Sequence, residues 1–238
     1  MNKKKILLVI PAYNEEESIL NTYKMVENYN KKNKASLEVI VINDGSRDNT
    51  KMVLEKNNIP HINLICNLGI GGAVQTGYKY ALKNDYDIAI QFDGDGQHDV
   101  NYVDNIIKPI INNEANMVIG SRFVEKNKKG FKSSTARRMG IKIISFFIKI
   151  KTGKKVYDVT SGFRAIDRNL IKLFNSYYPT EYPEPISTVN AVKSGYEVAE
   201  VPVVMKEREK GKSSISSWKN VYYMINVVLS IILMKGRK

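Results

Sequence analysis

Short apolar runs alternate with amphipathic segments through the first half of this 238-residue chain. The apolar runs are rich in Val, Ile and Leu, and several of them end in polar residues. Parallel strands need a crossover connection, which is usually a helix. The alternation therefore predicts an α/β fold with a mostly parallel central sheet flanked by helices. The predicted strands are 5–13, 37–45, 62–67, 88–92 and 116–123, and the predicted helices are 15–32, 47–58, 71–83 and 100–111.

The second half of the chain is less regular. It contains a predicted basic helix at 133–150, irregular stretches, a predicted strand at 196–207 and a loop after that strand. No Gly/Ser-rich or Pro-rich linker precedes it. We therefore expect a single domain over 1–238, in which 126–238 completes a site begun by 1–125.

Three polar clusters each follow a predicted strand, at Tyr13–Glu16, Asn43–Ser46 and Asp93–Asp99. Ligands of open α/β sheets bind at the carboxyl ends of the strands. The shared placement of these clusters predicts one binding site at that edge of the sheet.

The cluster "DGDGQHD" spaces Asp93 and Asp95 one residue apart where the backbone leaves the sheet. Two converging carboxylates repel each other unless a cation lies between them. Hard oxygen ligands, to which Gln97 could add an amide oxygen, favour Mg²⁺ or Mn²⁺. The alternative is a polar loop whose aspartates cap the next helix, and Asp99 is assigned to that role. His98 is interpreted as a hydrogen-bonding loop residue rather than a metal ligand.

The chain is strongly basic, with 37 Lys and Arg against 24 Asp and Glu. This balance suits a polyanion, an anionic membrane surface or a phosphorylated substrate. A nucleic-acid partner is disfavoured, because the basic run "KNKKGFK" offers only Phe131 for base stacking and the acidic cluster would repel phosphates. Cys66 is the single cysteine, which excludes a disulfide within the chain and favours a reducing compartment.

Eight motifs together resemble the family 2 glycosyltransferases, in the branch that includes dolichol-phosphate mannose synthase and bacterial polyprenyl-phosphate sugar transferases. In order they are "PAYNEEESI", "INDGSRDNT", "NLGIGGAVQTGYKYA", "DGDGQHD", "GSRF", "TSGFRA", "YPEP" and "EREKGKSSIS". The resemblance implies a GT-A fold. It also implies an inverting enzyme that takes its sugar from a nucleotide-diphospho-sugar, so 1–125 becomes the donor half and 126–238 the acceptor half.

The resemblance assigns donor-binding roles to residues of the first half. The residues implied to hold the base, ribose and diphosphate are Pro11, Ala12, Tyr13, Glu15, Asp44, Gly69, Gly71, Gly72, Asp93 and Arg122. The glycines would let the backbone approach the donor at a helix start. Asp93, Asp95 and Gln97 would hold Mg²⁺ or Mn²⁺ against the leaving diphosphate, with Asp95 as a catalytic residue. Asp44 and Asp48 could instead be turn and cap residues, and for Asp48 that role is preferred.

Basic residues of the resemblance are expected to face a phosphate. Those implied to contact the acceptor phosphate or the donor diphosphate are Arg122, Arg138, Arg208, Lys212 and Ser213. Arg208 is also taken as catalytic, since a guanidinium offers paired donors to a phosphate. Arg137 could equally take the place of Arg138.

Glu184 in "YPEP" is the candidate catalytic base. A sugar hydroxyl acceptor needs a carboxylate to take its proton, whereas a lipid phosphate is already ionised. Ile186 and Ser187 follow, where relatives commonly have Glu and Ala. The alternative is a simple acid at a helix N-terminus.

The expected acceptor is a polyprenyl phosphate or a membrane-linked glycan, and the alternative is a polysaccharide hydroxyl with Glu184 as base. A catalytically dead sugar-nucleotide sensor is disfavoured by the intact Asp93/Asp95 pair. The enzyme is expected in the cytoplasm, at the inner face of the membrane.

The apolar C-terminal segment 221–234 is too short to span a bilayer, which takes about 20 residues. It places Tyr222, Ile225, Leu229 and Ile232 at helical spacing, ahead of a basic end, which is typical of a helix lying in an anionic interface. The segment "FFIKI" is a second candidate. The alternative for both is core packing.

Overall fold

A computed structural model of the chain describes residues 4–33, 36–124, 135–205 and 217–234, with the backbone alone at 135–137 and 217–223. The strands are β1 Ile6–Ala12, β2 Leu37–Asn43, β3 His61–Asn63, β4 Ile88–Gln91, β5 Met117–Ser121, β6 Arg164–Asp167 and β7 Val198–Pro202. The helices are α1 Ile19–Asn33, α2 Thr50–Lys56, α3 Gly69–Lys83, α4 Val103–Ile111, α5 Thr135–Thr152, α6 Arg168–Ser176, α7 Pro183–Lys193 and α8 Ser217–Leu233. A 3₁₀ turn, Val100–Tyr102, precedes α4.

The seven strands form one sheet in the order β3-β2-β1-β4-β6-β5-β7. The described pairs β1–β2, β1–β4, β2–β3 and β5–β7 are parallel, and β6 runs antiparallel to both β4 and β5. The predicted mostly parallel sheet is confirmed. Because β6 is reversed, its amino end lies at the edge where β4 and β5 end, so the loop before β6 opens at the predicted site.

The core consists of two apolar layers, one on each face of the sheet. Successive residues of β1 alternate between them: Leu7 and Val9 pack on one face, and Leu8 and Ile10 on the other. This is the period of two that a strand imposes. The first layer packs against α3, α5, α6, α7 and α8, and the second against α1, α2 and α4. With both faces covered, most strand residues are expected to be apolar.

The structure corrects several predicted elements. Helix α1 begins at Ile19 rather than at 15, because the amides of Ser18 and Ile19 bond the Glu15 carbonyl in a turn that belongs to the site. Strand β3 is only three residues long, at the edge of the sheet. Strand β6 and helix α7 lie in stretches that the sequence analysis left irregular.

The C-terminal helix α8 has both a buried and an exposed apolar face. Val227 and Ile231 are fully buried, so one face of the helix is core. Ile225, Leu229 and Ile232 are each about half exposed on another face. None of the helices in the described ranges has the length and apolar character needed to cross a bilayer.

Candidate active site at the carboxyl ends of the strands

The three polar clusters meet at one edge of the sheet, because β2, β1 and β4 are adjacent and parallel. The loop after β1 is tied to the loop after β2 by two side chains. The amide of Asn14 donates to Ser46 Oγ at 3.0 Å, and the amide of Glu15 donates to Thr50 Oγ1 at 2.9 Å. Asn14 itself adopts a left-handed conformation, with φ of 55°, which turns the chain sharply after the strand.

The residues predicted to hold the base and ribose form one turn. Pro11 and Ala12 are buried at the end of β1, and Tyr13 follows with 42% of its surface exposed. Pro11 lies beyond the last β1 residue that pairs with β4, which is Val9. The turn therefore offers an exposed aromatic ring beside a buried strand end, and its nucleotide role stays a prediction.

Asp44 anchors the start of α3. Its Oδ1 atom accepts the Leu68 amide at 2.7 Å, and only 3% of the residue is exposed. Burial raises the pKa of Asp44, while hydrogen bonds from the Leu68 and Gly69 amides oppose that rise. The turn role that the sequence left open is thus present, whether or not a base also binds there. Asp48 has the preferred turn role, since its Oδ1 atom accepts the Thr50 amide at 2.9 Å just before the N-cap residue Asn49.

The three glycines in the first turn of α3 are explained by backbone conformation and by close packing. Gly69 has a φ of +78°, which disfavours any side chain. A Cβ at Gly71 would lie 2.2 Å from the Pro179 carbonyl oxygen, and one at Gly72 would lie 2.5 Å from Leu68 Cβ. Gly71 therefore permits close packing of α3 on the segment before α7. Contact of these glycines with a donor stays a prediction.

His98 packs beneath the loop Asp93–Asp99, here called the acidic loop, on the side of the protein core. Its ring stacks on Phe163 with centroids 4.9 Å apart and is almost wholly buried. Nδ1 accepts the Asp93 amide at 3.0 Å, which leaves Nε2 to carry the proton, and Nε2 lies 3.4 Å from Asp93 Oδ2. Burial lowers the pKa of His98 to about 4, so the ring is neutral at pH 7. The interpretation of His98 as a hydrogen-bonding loop residue is confirmed.

Asp93, Asp95 and Gln97 lie together at the end of β4, each partly exposed. The backbone amide of Gln97 donates to Asp95 Oδ1 at 3.0 Å. Asp99 accepts the Asn101 amide at 3.0 Å, which confirms its assignment as a cap. Burial raises the pKa of Asp93, and hydrogen bonding from Gln91 and the charge of Arg164 offset this in part.

This donor set fits Mg²⁺ or Mn²⁺. Within the described ranges no three His, Cys, Asp or Glu side chains converge, so the loop offers two carboxylates rather than a complete protein cage. Mg²⁺ is usually bound by one or two carboxylates together with substrate phosphates and water. The raised pKa of Asp93 also indicates a carboxylate that a cation would stabilise.

Behind the acidic loop lies Glu184, in the first turn of α7 as its alternative role requires. Its Oε1 atom lies 3.5 Å from Gln91 Nε2, and the same Gln91 amide also hydrogen-bonds Asp93. Burial raises the pKa of Glu184, and the charge of Arg164 opposes this. The candidate base and the candidate metal ligand are therefore linked through one buried amide.

Arg122 is paired inside the protein. Its Nε and Nη2 atoms contact the two carboxylate oxygens of Asp158 at 2.8 and 2.7 Å, and Asp158 is fully buried. Glu200 in turn accepts the amides of Tyr157 and Asp158 at 2.7 and 2.8 Å. One edge of the Arg122 guanidinium is thus committed to the protein, and a phosphate contact by its remaining atoms stays a prediction.

The other predicted phosphate contacts are less defined. Arg138 is exposed in the first turns of α5. Arg208, Lys212 and Ser213 lie outside the described residues, as does the side chain of Arg137.

Sequence reasoning missed Gln91, Asp158 and Arg164 as site residues. Gln91 is a polar residue at the end of an apolar strand, which is a usable signal, and Arg164 lies in the motif "TSGFRA". Asp158 lies two residues before that motif, and its role as the partner of Arg122 is identified only by the structure.

The comparisons with known proteins agree with this fold. The model of glycosyl transferase family 2 matches residues 7–174. The UDP-N-acetylglucosamine--dolichyl-phosphate N-acetylglucosaminyltransferase of Methanococcus voltae is 34% identical over 223 residues, which cover 85% of this chain and 86% of that protein. The undecaprenyl-phosphate mannosyltransferase of Micrococcus luteus is 27% identical over 220 residues, covering 89% and 88%.

A solved structure confirms the predicted GT-A fold. Glucosyl-3-phosphoglycerate synthase from Mycobacterium tuberculosis, crystallised with Mn²⁺, UDP-glucose and phosphoglyceric acid, superposes with a TM-score of 0.68 at 18% identity. The superposition covers 98% of this chain and 81% of that one. By the family match and the 34% identical relative, the chain belongs to glycosyl transferase family 2.

Proposed function

We propose that the protein transfers a sugar from a nucleotide-diphospho-sugar to a polyprenyl phosphate, with inversion at the anomeric carbon. One observation carries the acceptor class: two relatives that match most of this chain are named as transferases to dolichyl phosphate and undecaprenyl phosphate. The arrangement of the acidic loop beside the Tyr13 turn supports the donor class.

The proposed reaction is a single displacement at the anomeric carbon. The acceptor phosphate oxygen attacks the anomeric carbon from the side opposite the diphosphate, and the bond from that carbon to the diphosphate oxygen breaks. The nucleoside diphosphate leaves, and no covalent bond to the protein is needed. Tyr13 and the neighbouring turn would hold the nucleotide, and Arg122 would face a phosphate with the edge that Asp158 leaves open.

Asp93, Asp95 and Gln97 would hold Mg²⁺ or Mn²⁺ at the donor diphosphate. When bound, the cation supplies positive charge to the leaving group. The side-chain amide of Gln91 donates to both Asp93 and Glu184. His98 fixes the backbone of Asp93 from below through a ring that is neutral at pH 7.

A second candidate function is transfer to a polysaccharide hydroxyl with Glu184 as the general base. The observation that favours it is the pKa of Glu184, which burial raises. A base with a pKa closer to neutrality removes a proton from a hydroxyl more effectively. A phosphate acceptor needs no such base, so the acceptor itself separates the two functions.

We also propose that the enzyme works in the cytoplasm, in peripheral contact with the inner face of the membrane that holds its acceptor. Met139, Ile143, Phe146 and Ile150 are spaced along one outward face of α5. Helix α8 is a neighbour of α5, since Lys151 Nζ donates to the Ile232 carbonyl, and Ile225, Leu229 and Ile232 are exposed on α8. Lys142 and Lys149 are also exposed on α5, which suits an anionic bilayer surface.

The test is a transfer assay with UDP-N-acetylglucosamine, Mn²⁺ and dolichyl phosphate in detergent micelles, with dolichol as the matched acceptor. Transfer to the phosphate alone is the expected result. If this donor is inactive, the assay is repeated with UDP-glucose and GDP-mannose. Transfer to hydroxyl acceptors but not to lipid phosphate would favour the second candidate, and no transfer or donor binding with any sugar would contradict both.

A further inference from the structure

Arg164 lies beneath the candidate active site, at the amino end of β6. It is fully buried and is the largest such side chain in the described part of the chain. In the sheet it is the cross-strand partner of Gln91, the last residue of β4, which is also fully buried. A buried cation therefore lies next to the amide that links Asp93 with Glu184.

The guanidinium joins two segments that border the site. Its Nε and Nη2 atoms donate to the Ser161 carbonyl at 3.0 and 2.6 Å. Its Nη1 atom donates to the Glu184 carbonyl at 3.0 Å and to the hydroxyls of Ser187 and Thr188 at 3.2 and 3.4 Å. Arg164 thus ties the loop before β6 to the first turn of α7, which carries Glu184.

The same loop presses against Asp93 from the other side. A Cβ at Gly162 would lie 2.7 Å from Asp93 Oδ2 and 3.0 Å from Gln91 Nε2. Only a glycine lets the backbone approach the carboxylate this closely. Because Arg164 holds that loop at Ser161, one side chain constrains the surroundings of both carboxylates.

The charge of Arg164 also faces the site. Among the described residues no carboxylate lies within ion-pair distance of its guanidinium. A buried cation without a direct counter-ion is costly, so simple packing does not account for it. Its charge lowers the pKa of both Asp93 and Glu184, against burial that raises them.

We propose that Arg164 is a positioning residue, which fixes the Glu184 carboxylate relative to Asp93 and thereby aligns the acceptor with the donor. The inference rests on the proposed function. A lysine would keep the charge, but a single ammonium lacks the planar fork that reaches Ser161 and α7 together. The lysine variant therefore separates charge and stability from alignment.

The first measurement compares Arg164→Lys and Arg164→Met with wild type in the transfer assay. Displacements of about 1 Å can cost about 100-fold in rate, so we expect kcat to fall by about that factor in both variants. In Arg164→Lys, which keeps the charge that acts on Asp93, the donor KM and the affinity for UDP with Mn²⁺, measured by calorimetry, should stay near wild type. Thermal unfolding should show that Arg164→Lys is more stable than Arg164→Met while being equally slow.

Recovery of kcat in Arg164→Lys in step with its stability would show a purely structural role and overturn the inference. A loss of UDP affinity as large as the loss of kcat would also overturn it, because Arg164 would then serve the donor through Asp93.

A double-mutant cycle tests the route through Glu184. If Arg164 acts by placing that carboxylate, Arg164→Lys combined with Glu184→Gln should be no slower than Glu184→Gln alone. Multiplied losses would contradict the inference while leaving the proposed function intact. Wild-type protein that binds no donor and transfers no sugar would instead contradict the proposed function, and the inference with it.

Discussion

Asp95 and Asp99 lie in the same loop and differ in what they contact, which makes them a matched pair for testing the metal site. Asp99 caps the turn before α4, and Asp95 lies beside Asp93 at the end of β4. Asp95→Asn should leave the fold intact and weaken Mn²⁺-dependent UDP binding by at least about 10- to 100-fold, the loss typical even of outer-shell partners of metal ligands. Calorimetry with and without Mn²⁺ measures it.

Asp99→Asn is the control for that prediction, because an asparagine caps a helix about as well as an aspartate. Its UDP affinity should equal that of wild type. Unchanged affinity in Asp95→Asn would remove the metal role from this loop.

The Arg122–Asp158 pair is the second prediction at the residue scale. Asp158→Asn leaves a guanidinium beside a neutral amide in a buried position, and losing one partner of such a pair costs about 3–5 kcal/mol. Urea unfolding measures the loss of the free energy of unfolding. The exposed pair Arg168–Asp85 is the matched control, since Asp85→Asn should cost less than about 1 kcal/mol. Equal costs for the two variants would contradict the buried role of Asp158.

His98 predicts a pH dependence of stability in metal-free protein. Its folded pKa of about 4 lies below the unfolded value near 6.5, so the unfolded chain binds the proton more readily. The contribution of His98 to stability is present above about pH 6.5 and is lost as the pH falls toward 4, by about 3 kcal/mol in all. The raised pKa values of Asp93 and Glu184 act in the opposite direction.

The difference between wild type and His98→Gln isolates the histidine. Urea unfolding in EDTA between pH 7 and 4 should show a shallower loss of stability in the variant. His61→Gln replaces the other histidine of the chain and should follow wild type. A variant that loses stability as steeply as wild type would show that His98 is protonated in the folded protein.

At the scale of elements, the outward faces of α5 and α8 predict binding to a lipid surface. Phe146 and Ile150 are 59% and 66% exposed, and apolar faces of this kind bind membranes in proportion to the area they bury. Replacing both with Ser should reduce co-sedimentation with anionic liposomes at low salt and leave the free energy of unfolding nearly unchanged. Neutral liposomes should bind the wild type more weakly.

The control for this face is Val227→Ser, on the buried side of α8. It should destabilise the protein, because it places a hydroxyl in the core. Removing the chain after Asn220 is a poor test, since it also removes Val227 and Ile231 from the core. Full liposome binding by the Phe146/Ile150 variant would show that this face of α5 does not contact lipid.

The elements that could be predicted from sequence are those whose apolar pattern is complete. β1, β2 and β4 are mostly apolar and largely buried on both faces, and the sequence predicts their positions to within a few residues. Strand β6 is only four residues long and begins with a charged residue, so neither its length nor its pattern identifies it in the sequence. α7 buries nearly every side and starts with two prolines, which hides the helical period. Arg164 and Glu184 lie on these two elements.

At the scale of the whole molecule, ligand binding should raise the free energy of unfolding and therefore the Tm. A ligand present at 100 times its Kd adds about 2.7 kcal/mol to the free energy of unfolding. For a chain of this size that is a rise in Tm of about 5 to 10 °C. A thermal-shift screen of UDP, GDP and their sugars with Mn²⁺ should therefore single out the donor. No shift with any nucleotide would contradict the donor class.

The acidic loop has a consequence for how its ligands cooperate. With two carboxylates and one side-chain amide, the acidic loop would provide only part of the coordination sphere that Mg²⁺ or Mn²⁺ requires. Diphosphate oxygens would complete it, so each ligand should raise the affinity of the other by the same factor, as linkage requires. The protein without nucleotide should then bind the cation weakly, and the cation and the diphosphate should bind with strong positive cooperativity. Kinetically, this predicts that the nucleotide sugar and its cation enter the site together, each binding weakly without the other.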